Sequence, residues 1–334
     1  MRRLPRVVVM GTGGSIATLG KHELDFVDYP DTLKLLAADE LVEQVPWLKS
    51  VAEVVPIGFR ALGSSRLSMQ DWIDLNGALF DGLETDPVPD GIVVTHGTAT
   101  LEETAFFLHL VLKTSVPVVL VGAMRPTTSI ASDAHLNLLN AVRVAATPEA
   151  HGMGVLVVMD GTIHSARDVT KGSNWRVGTF ESPLWGPLGM VWPNGRVELH
   201  RRPAKKHTAS SELELTSRGI GRIPIVDIVT CYAGADRASV DAAIARSVDG
   251  IVLNGLPPGV AALGQQEAVR AAVGRGIAVV QASRALGAVI LRTESQRGLV
   301  SANDLSAHKA RILAMLALRQ RKDLAWLQHL YDTH

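Results

Sequence analysis

The chain has one cysteine, Cys231, among 334 residues. That excludes an intramolecular disulfide and any cluster of thiolate metal ligands. Aromatic residues make up 4% of the composition, too few to suggest a surface on which nucleic-acid bases stack. An excess of either charge is missing as well: 33 Lys and Arg balance 33 Asp and Glu, so neither nucleic acid nor an anionic membrane surface is an expected partner. Long apolar runs are lacking. Behind the basic start Met1-Arg2-Arg3-Leu4-Pro5 the apolar run is only four residues, Val7 to Met10. This is short of a signal-peptide core, and no run reaches the roughly 18 residues that cross a bilayer, so a cytoplasmic location is expected. The 11 histidines fall at no metal-ligand spacing. His96 and His164 come nearest and have no identifiable partners, so no metal site is expected. A Gly-x-Ser-x-Gly elbow and a phosphate-binding loop with its lysine are also missing.

What is present is a repeated alternation of short apolar runs with helix-like segments, the pattern of a parallel α/β sheet. Val7-Val8-Val9-Met10 reads as a strand buried on both faces. The glycines of Gly11-Thr12-Gly13-Gly14 then permit a sharp turn at its carboxyl end, where ligands bind in open α/β sheets. Ser15 follows that turn and is a candidate nucleophile. A dinucleotide fingerprint fits less well, because Ile16 stands where its third glycine belongs. Residues 20–32 are polar, with Lys21, His22, Asp25, Asp28 and Tyr29, as in a loop over a site. Gly91 to Thr95 predicts a second strand, and His96-Gly97-Thr98 turns from it into a helix on which Thr100 and Glu103 have capping-box spacing. Free amides at such a helix start can face an oxyanion.

Further strands are predicted over Val116–Val121 and Gly154–Met159, and a helix over Leu136–Ala146. Lys171 lies beyond the second of these strands. The charged, apolar-poor stretch 201–222 reads as a linker between a domain of residues 1–200 and a domain of residues 223–334. The latter continues the alternation through Ile223–Cys231, Val240–Ile244, Ile251–Leu256, Ala261–Val273 and Ile277–Gln281. It closes on a helix, Leu305–Leu318, with Lys309 and Arg311 as exposed charges.

Five stretches together resemble the bacterial L-asparaginase/glutaminase family over almost the whole length: Thr12-Gly13-Gly14-Ser15-Ile16-Ala17, His96-Gly97-Thr98-Ala99-Thr100, Gly122-Ala123-Met124-Arg125-Pro126, Arg167-Asp168-Val169-Thr170-Lys171, and Asn303-Asp304-Leu305 with Lys309-Ala310-Arg311. The resemblance implies two α/β domains with mainly parallel sheets, the larger N-terminal. It implies a homotetramer, a dimer of dimers in which a neighbour's C-terminal domain completes each site. It also implies hydrolysis of a side-chain amide to carboxylate and ammonia without a metal or organic cofactor. Carried over by position, Ser15 is the nucleophile, Thr98 the second catalytic hydroxyl, Lys171 the catalytic lysine and Tyr29 the loop tyrosine that orients the nucleophile. Ser64, with Ser65 beside it, falls at the substrate-carboxylate contact. Gly14, Gly97 and Ala99 line the substrate.

The chemistry of these residue types agrees. A neutral hydroxyl needs a base, and a partly buried lysine can be one. Two departures from the family pattern stand out: serine replaces threonine at position 15, and alanine replaces the aspartate that pairs with the substrate's α-ammonium at position 99. If that ammonium is buried, leaving it unpaired costs about 3–5 kcal/mol. An amide lacking a free α-amine, such as a dicarboxylic acid monoamide, is therefore the expected substrate, and Arg66 is a further candidate contact for an anionic one. An asparaginase with a relocated acid (Asp25, Asp28 or Asp133) and a non-catalytic ligand-binding relative are the alternatives.

Overall fold

A computed structural model describes residues 3–61, 63–215, 221–293 and 298–334. Met1 and Arg2 of the basic start, and 216–220 of the predicted linker, lie outside the described residues. The chain forms two compact units, Met1–Ser210 and Ser211–His334.

The first unit is built on an eight-stranded sheet. In chain order the strands are β1 (Arg6–Gly11), β2 (Glu53–Gly58), β3 (Gly91–Thr95), β4 (Val118–Val121), β5 (Val155–Met159), β6 (Thr162–Ser165), β7 (Thr170–Lys171), β8 (Phe180–Glu181), β9 (Gly189–Val191) and β10 (Val197–Leu199). The sheet runs β10-β9-β6-β5-β4-β3-β1-β2, while β7 and β8 form a separate hairpin. Pairing is parallel from β2 through β5 and antiparallel from β5 to β10. The continuous apolar runs mark strands covered on both faces: Val7–Met10, Ile92–Val94 and Val118–Val121 are all buried. The covering helices are α1 (Ala38–Glu43), α2 (Met69–Leu83), α3 (Leu101–Val111) and α4 (Ala134–Ala145). In α3 every residue but Glu103 is buried, the polar Glu102, Thr104 and His109 included.

Strand order places the site. β1 sits between β3 and β2, with Gly11 opposite Thr95 in the register. The order therefore reverses at β1, and the crevice beyond the carboxyl ends of β1 and β3 is where such sheets hold ligands.

The second unit has a four-stranded parallel sheet, β11 (Val226–Thr230), β12 (Gly250–Gly255), β13 (Ala278–Ser283) and β14 (Val300–Ser301), in sequential order. Its helices are α5 (Ala238–Ala245), α6 (Gln266–Gly274), α7 (Ala307–Gln320) and α8 (Leu324–Thr333). The two-domain α/β class with a larger N-terminal domain is as expected.

Two local expectations fail. Lys309 is not an exposed charge: it is only 3% exposed, because α7 packs on β11, β12 and β13 while α8 packs against α7. Its neighbour Arg311 donates Nε–H to the Val226 carbonyl at 2.9 Å, a tertiary contact rather than a solvated charge. Nor does Thr100 cap α3 with its side chain. Its hydroxyl donates instead to the Ser64 carbonyl at 2.9 Å, tying the turn that carries Ser64 to the start of α3.

Candidate active site

After Gly11, Thr12 stitches the strand end to its neighbour: its N–H and its hydroxyl both donate to the Thr95 carbonyl, at 3.2 and 2.6 Å. Gly13 and Gly14 then take positive φ, 90° and 87°, which side chains other than glycine rarely tolerate. A Cβ on Gly14 would lie 2.3 Å from the Gly97 nitrogen. The two turns, one from β1 and one from β3, thus touch backbone to backbone. Ser15 and Thr98 each stand one residue beyond that contact, at the carboxyl ends of β1 and β3. A Cβ on Gly97 would strike Ser64 Oγ at 2.6 Å, so Ser64 is packed against the same junction. Ser65 and Arg66 are exposed.

Ser15, half-buried in a single 3-10 turn (Ser15–Ala17), shares a hydrogen bond of 2.9 Å with the Tyr29 hydroxyl. The loop that carries Tyr29 is knit internally. The Asp25 carboxylate accepts from the Lys21 and Asp28 amides, both at 2.9 Å, and Thr32 Oγ1 donates to the Leu19 and Tyr29 carbonyls. Gly20 N–H donates to Thr128 Oγ1 at 2.8 Å, fastening the loop to the segment after β4.

Lys171 comes from β7 and reaches Thr98: its Nζ donates to Thr98 Oγ1 at 2.8 Å. Thr98 is 8% exposed and Lys171 half-buried. Burial holds the lysine amine below the ordinary lysine range, while the Glu102 carboxylate pulls partly the other way. Glu102 also accepts from the Lys171 backbone N–H at 3.2 Å and from Thr170 Oγ1 at 3.3 Å. The hydroxyls therefore form two pairs, Ser15 with Tyr29 and Thr98 with Lys171, and the lysine's contact is with Thr98 rather than with Ser15.

Ala99 follows Thr98 and is exposed. Of the acids considered as replacements for the one missing there, Asp25 is engaged as described. Asp133 accepts from the Met124 and Arg125 amides and from Asn137 Nδ2. Asp28 is exposed, with its carboxylate 3.8 Å from Lys21 Nζ.

Two residues of the neighbourhood escape a reading of the sequence. Glu102 touches Lys171 across 69 positions of chain, and no local pattern signals that. His96 had no identifiable partner in the sequence, yet its ring is bonded at both nitrogens. Among the described residues, no three His, Cys, Asp or Glu side chains gather as a metal ion would require.

Comparison with known proteins adds the family. Residues 6–205 match the family model for the N-terminal domain of asparaginase, and residues 225–331 the glutaminase/asparaginase C-terminal domain. The chain is 37% identical to L-asparaginase 2 of Escherichia coli, covering 99% of this chain and 94% of that protein. It is 36% identical to a glutaminase-asparaginase of Pseudomonas fluorescens biotype A, covering 98% and 90%. The crystal structure of a probable cytoplasmic L-asparaginase from Campylobacter jejuni superposes with a TM-score of 0.92 at 32% identity, over 99% of this chain and all of that one. A probable periplasmic L-asparaginase of Haemophilus influenzae is 35% identical. No described helix is long and apolar enough to cross a membrane.

Proposed function

The chain belongs to the asparaginase/glutaminase family and is a hydrolase of linear amide C–N bonds; from this premise we propose that Ser15 is its nucleophile and L-asparagine one of its substrates. The observation that carries the mechanism is the 2.8 Å bond from a partly buried lysine to the Thr98 hydroxyl at the carboxyl end of β3. Ser15 Oγ attacks the amide carbon, and the carbonyl π pair moves to oxygen. The hydroxyl proton passes to the neutral Lys171 amine, with the Thr98 hydroxyl as its port of entry. The C–N bond then breaks, and ammonia leaves with the proton that Lys171 returns. Water cleaves the Ser15 ester by the same route in reverse, restoring the hydroxyl and yielding the carboxylate. Tyr29 orients the Ser15 oxygen, and Ser64 and Ser65 meet the substrate carboxylate.

Asparagine is supported by the names of the relatives and by the exposure of Ala99. Where the assembly leaves Ala99 in water, an α-ammonium beside it keeps much of its hydration, and the large penalty for an unpaired buried charge does not apply in full. The second reading is an amide without an α-amine, such as succinamate. It is favoured by the alanine itself, since Asp25 and Asp133 are engaged by backbone amides.

Ammonia release from L-asparagine, L-glutamine and succinamate decides between them, the larger kcat/KM naming the class. Mass spectrometry of acid-quenched enzyme tests the nucleophile. An acyl group on the peptide holding Ser15 is expected, and one on the peptide holding Thr98 refutes the assignment. The same reading includes a homotetramer whose neighbours complete each site. A fully active monomer in sedimentation equilibrium refutes that part.

A further inference from the structure

Beneath the crevice lies a chain of hydrogen bonds that the proposed mechanism does not use. His96 is 1% exposed, Thr104 fully buried and Trp72 nearly so. Trp72 Nε1–H donates to Thr104 Oγ1 at 2.8 Å. Thr104 Oγ1 lies 3.0 Å from His96 Nε2, and His96 Nδ1 lies 2.8 Å from the Gly97 carbonyl oxygen. An indole N–H only donates and a carbonyl only accepts. Direction therefore follows from the two ends. Nδ1 must carry the ring's hydrogen, Nε2 must offer its lone pair, and the Thr104 hydroxyl must donate to it. One tautomer satisfies every member. Burial depresses the ring's pKa to about 4, which keeps that neutral form at physiological pH. Trp72 is held in turn by stacking on Phe107, centroids 5.3 Å apart.

The consequence falls on the next peptide. In a trans peptide the C=O of one residue and the N–H of the following residue point to opposite sides. A Gly97 carbonyl drawn toward the buried ring turns the Thr98 N–H the other way. Among the described residues no acceptor takes that N–H.

We propose that His96 is a positioning residue of the site: its Nδ1–H fixes the Gly97 carbonyl inward, and so aims the Thr98 N–H into the crevice as a donor to the oxyanion of the tetrahedral intermediate. The role rests on the hydrolytic reading given above, and it assigns to the buried polar chain Trp72–Thr104–His96 the task of preorganising that donor.

The test uses the full-length enzyme with His96→Ala and His96→Asn, since an asparagine Nδ2–H can reach the place of the histidine Nδ1–H. Loss of one oxyanion donor lowers kcat by about 100- to 1000-fold; a misaimed donor retains part of its effect, so His96→Ala is expected to lose roughly 10- to 100-fold in kcat with KM within about threefold. His96→Asn is expected to recover most of it. A readout without turnover is the affinity for 2-carboxyethylboronic acid, whose tetrahedral adduct places an oxygen where the oxyanion forms, measured against affinity for the carboxylate product. His96→Ala should weaken the boronate selectively. Long-range 15N spectra should show a pyrrole-type Nδ1 and a pyridine-type Nε2. Should His96→Ala fail to fold, Thr104→Val takes its place: loss of the donor to Nε2 should mix the tautomers and weaken boronate binding in proportion. The proposal is overturned by wild-type kcat and boronate affinity in His96→Ala, by equal losses for boronate and product, by failure of asparagine to rescue, or by an Nε2–H tautomer in the wild-type enzyme. Absence of ammonia release by the wild type from every amide tested instead removes the hydrolytic reading on which the role depends.

Discussion

Placing a carboxylate at position 99 separates the two substrate readings by magnitude. Ala99 is exposed within one chain, and where the assembly leaves it so, an aspartate there meets a substrate α-ammonium in water. Exposed ion pairs contribute about 0.2–1 kcal/mol, which corresponds to a gain of roughly 1.4- to 5-fold in kcat/KM for L-asparagine. A dry site would behave differently: restoring the partner of a buried charge recovers about 3–5 kcal/mol, or roughly a hundred- to several-thousand-fold. Ala99→Asp is therefore expected to raise asparagine kcat/KM by less than about tenfold and to leave succinamate, which has no ammonium, without that gain. The assay is initial-rate ammonia release with both amides, read as the ratio of their kcat/KM values, so that any general damage to the enzyme cancels. The new charge also adjoins Thr98, which holds Lys171. It opposes deprotonation of the amine, so the rise of activity with pH should move to higher pH for both substrates. A gain above about a hundredfold for asparagine would refute the reasoning, because the ammonium would then sit dehydrated in the working enzyme. A loss confined to asparagine would refute the placement of residue 99 beside the α-carbon.

Ser15→Ala should lower kcat by at least about a thousandfold, whereas Ser15→Thr, which keeps the hydroxyl, should remain within roughly tenfold of the wild type; comparable losses in both would remove Ser15 from the chemistry. Tyr29→Phe deletes the 2.9 Å bond to Ser15 while keeping the ring. It should lower kcat more than it raises KM, as single-turnover kinetics would report. Lys171 acts as a base only when neutral, so kcat should rise with pH through its lowered pKa. Glu102→Gln removes the charge that raises that pKa but keeps an acceptor for the Lys171 amide, so its pH–rate profile should shift to lower pH. His96 also links stability to pH. Its folded pKa is about 4 against an ordinary 6.5, so between those values the unfolded chain binds a proton that the folded one refuses. Stability from this residue is therefore complete above about pH 6.5, falls by roughly 3 kcal/mol as pH drops toward 4, and changes no further below that. Urea unfolding at pH 7 and 4.5 should show a smaller difference in His96→Asn than in the wild type.

Runs such as Val7–Met10 and Val118–Val121 were legible because a strand covered on both faces needs continuous apolar residues. Glycines 13 and 14 marked the turn because their backbone conformation excludes a side chain. These are local requirements, and a sequence states them directly. Motif resemblance extended that reading to the identities of Ser15, Thr98, Lys171 and Tyr29. It also implied that Tyr29 orients Ser15, the two hydroxyls lying 2.9 Å apart, but not that the lysine holds Thr98 rather than Ser15.

Charge at helical spacing misled at Lys309, since periodicity distinguishes one face of a helix from another but not what packs on each, and α7 has both the sheet and α8 against it. His96 looked solitary because its partners are the Gly97 carbonyl and the Thr104 hydroxyl, the latter held in turn by Trp72. Glu102 is an acid of the first turn of α3, and only the tertiary structure brings Lys171 of β7 to it. Local pattern sets the period of each element and the turns between them. Which distant polar groups meet follows from how α2, α3 and β7 pack about the end of β3, and that packing is settled by the whole domain, in which no single segment carries the deciding contacts.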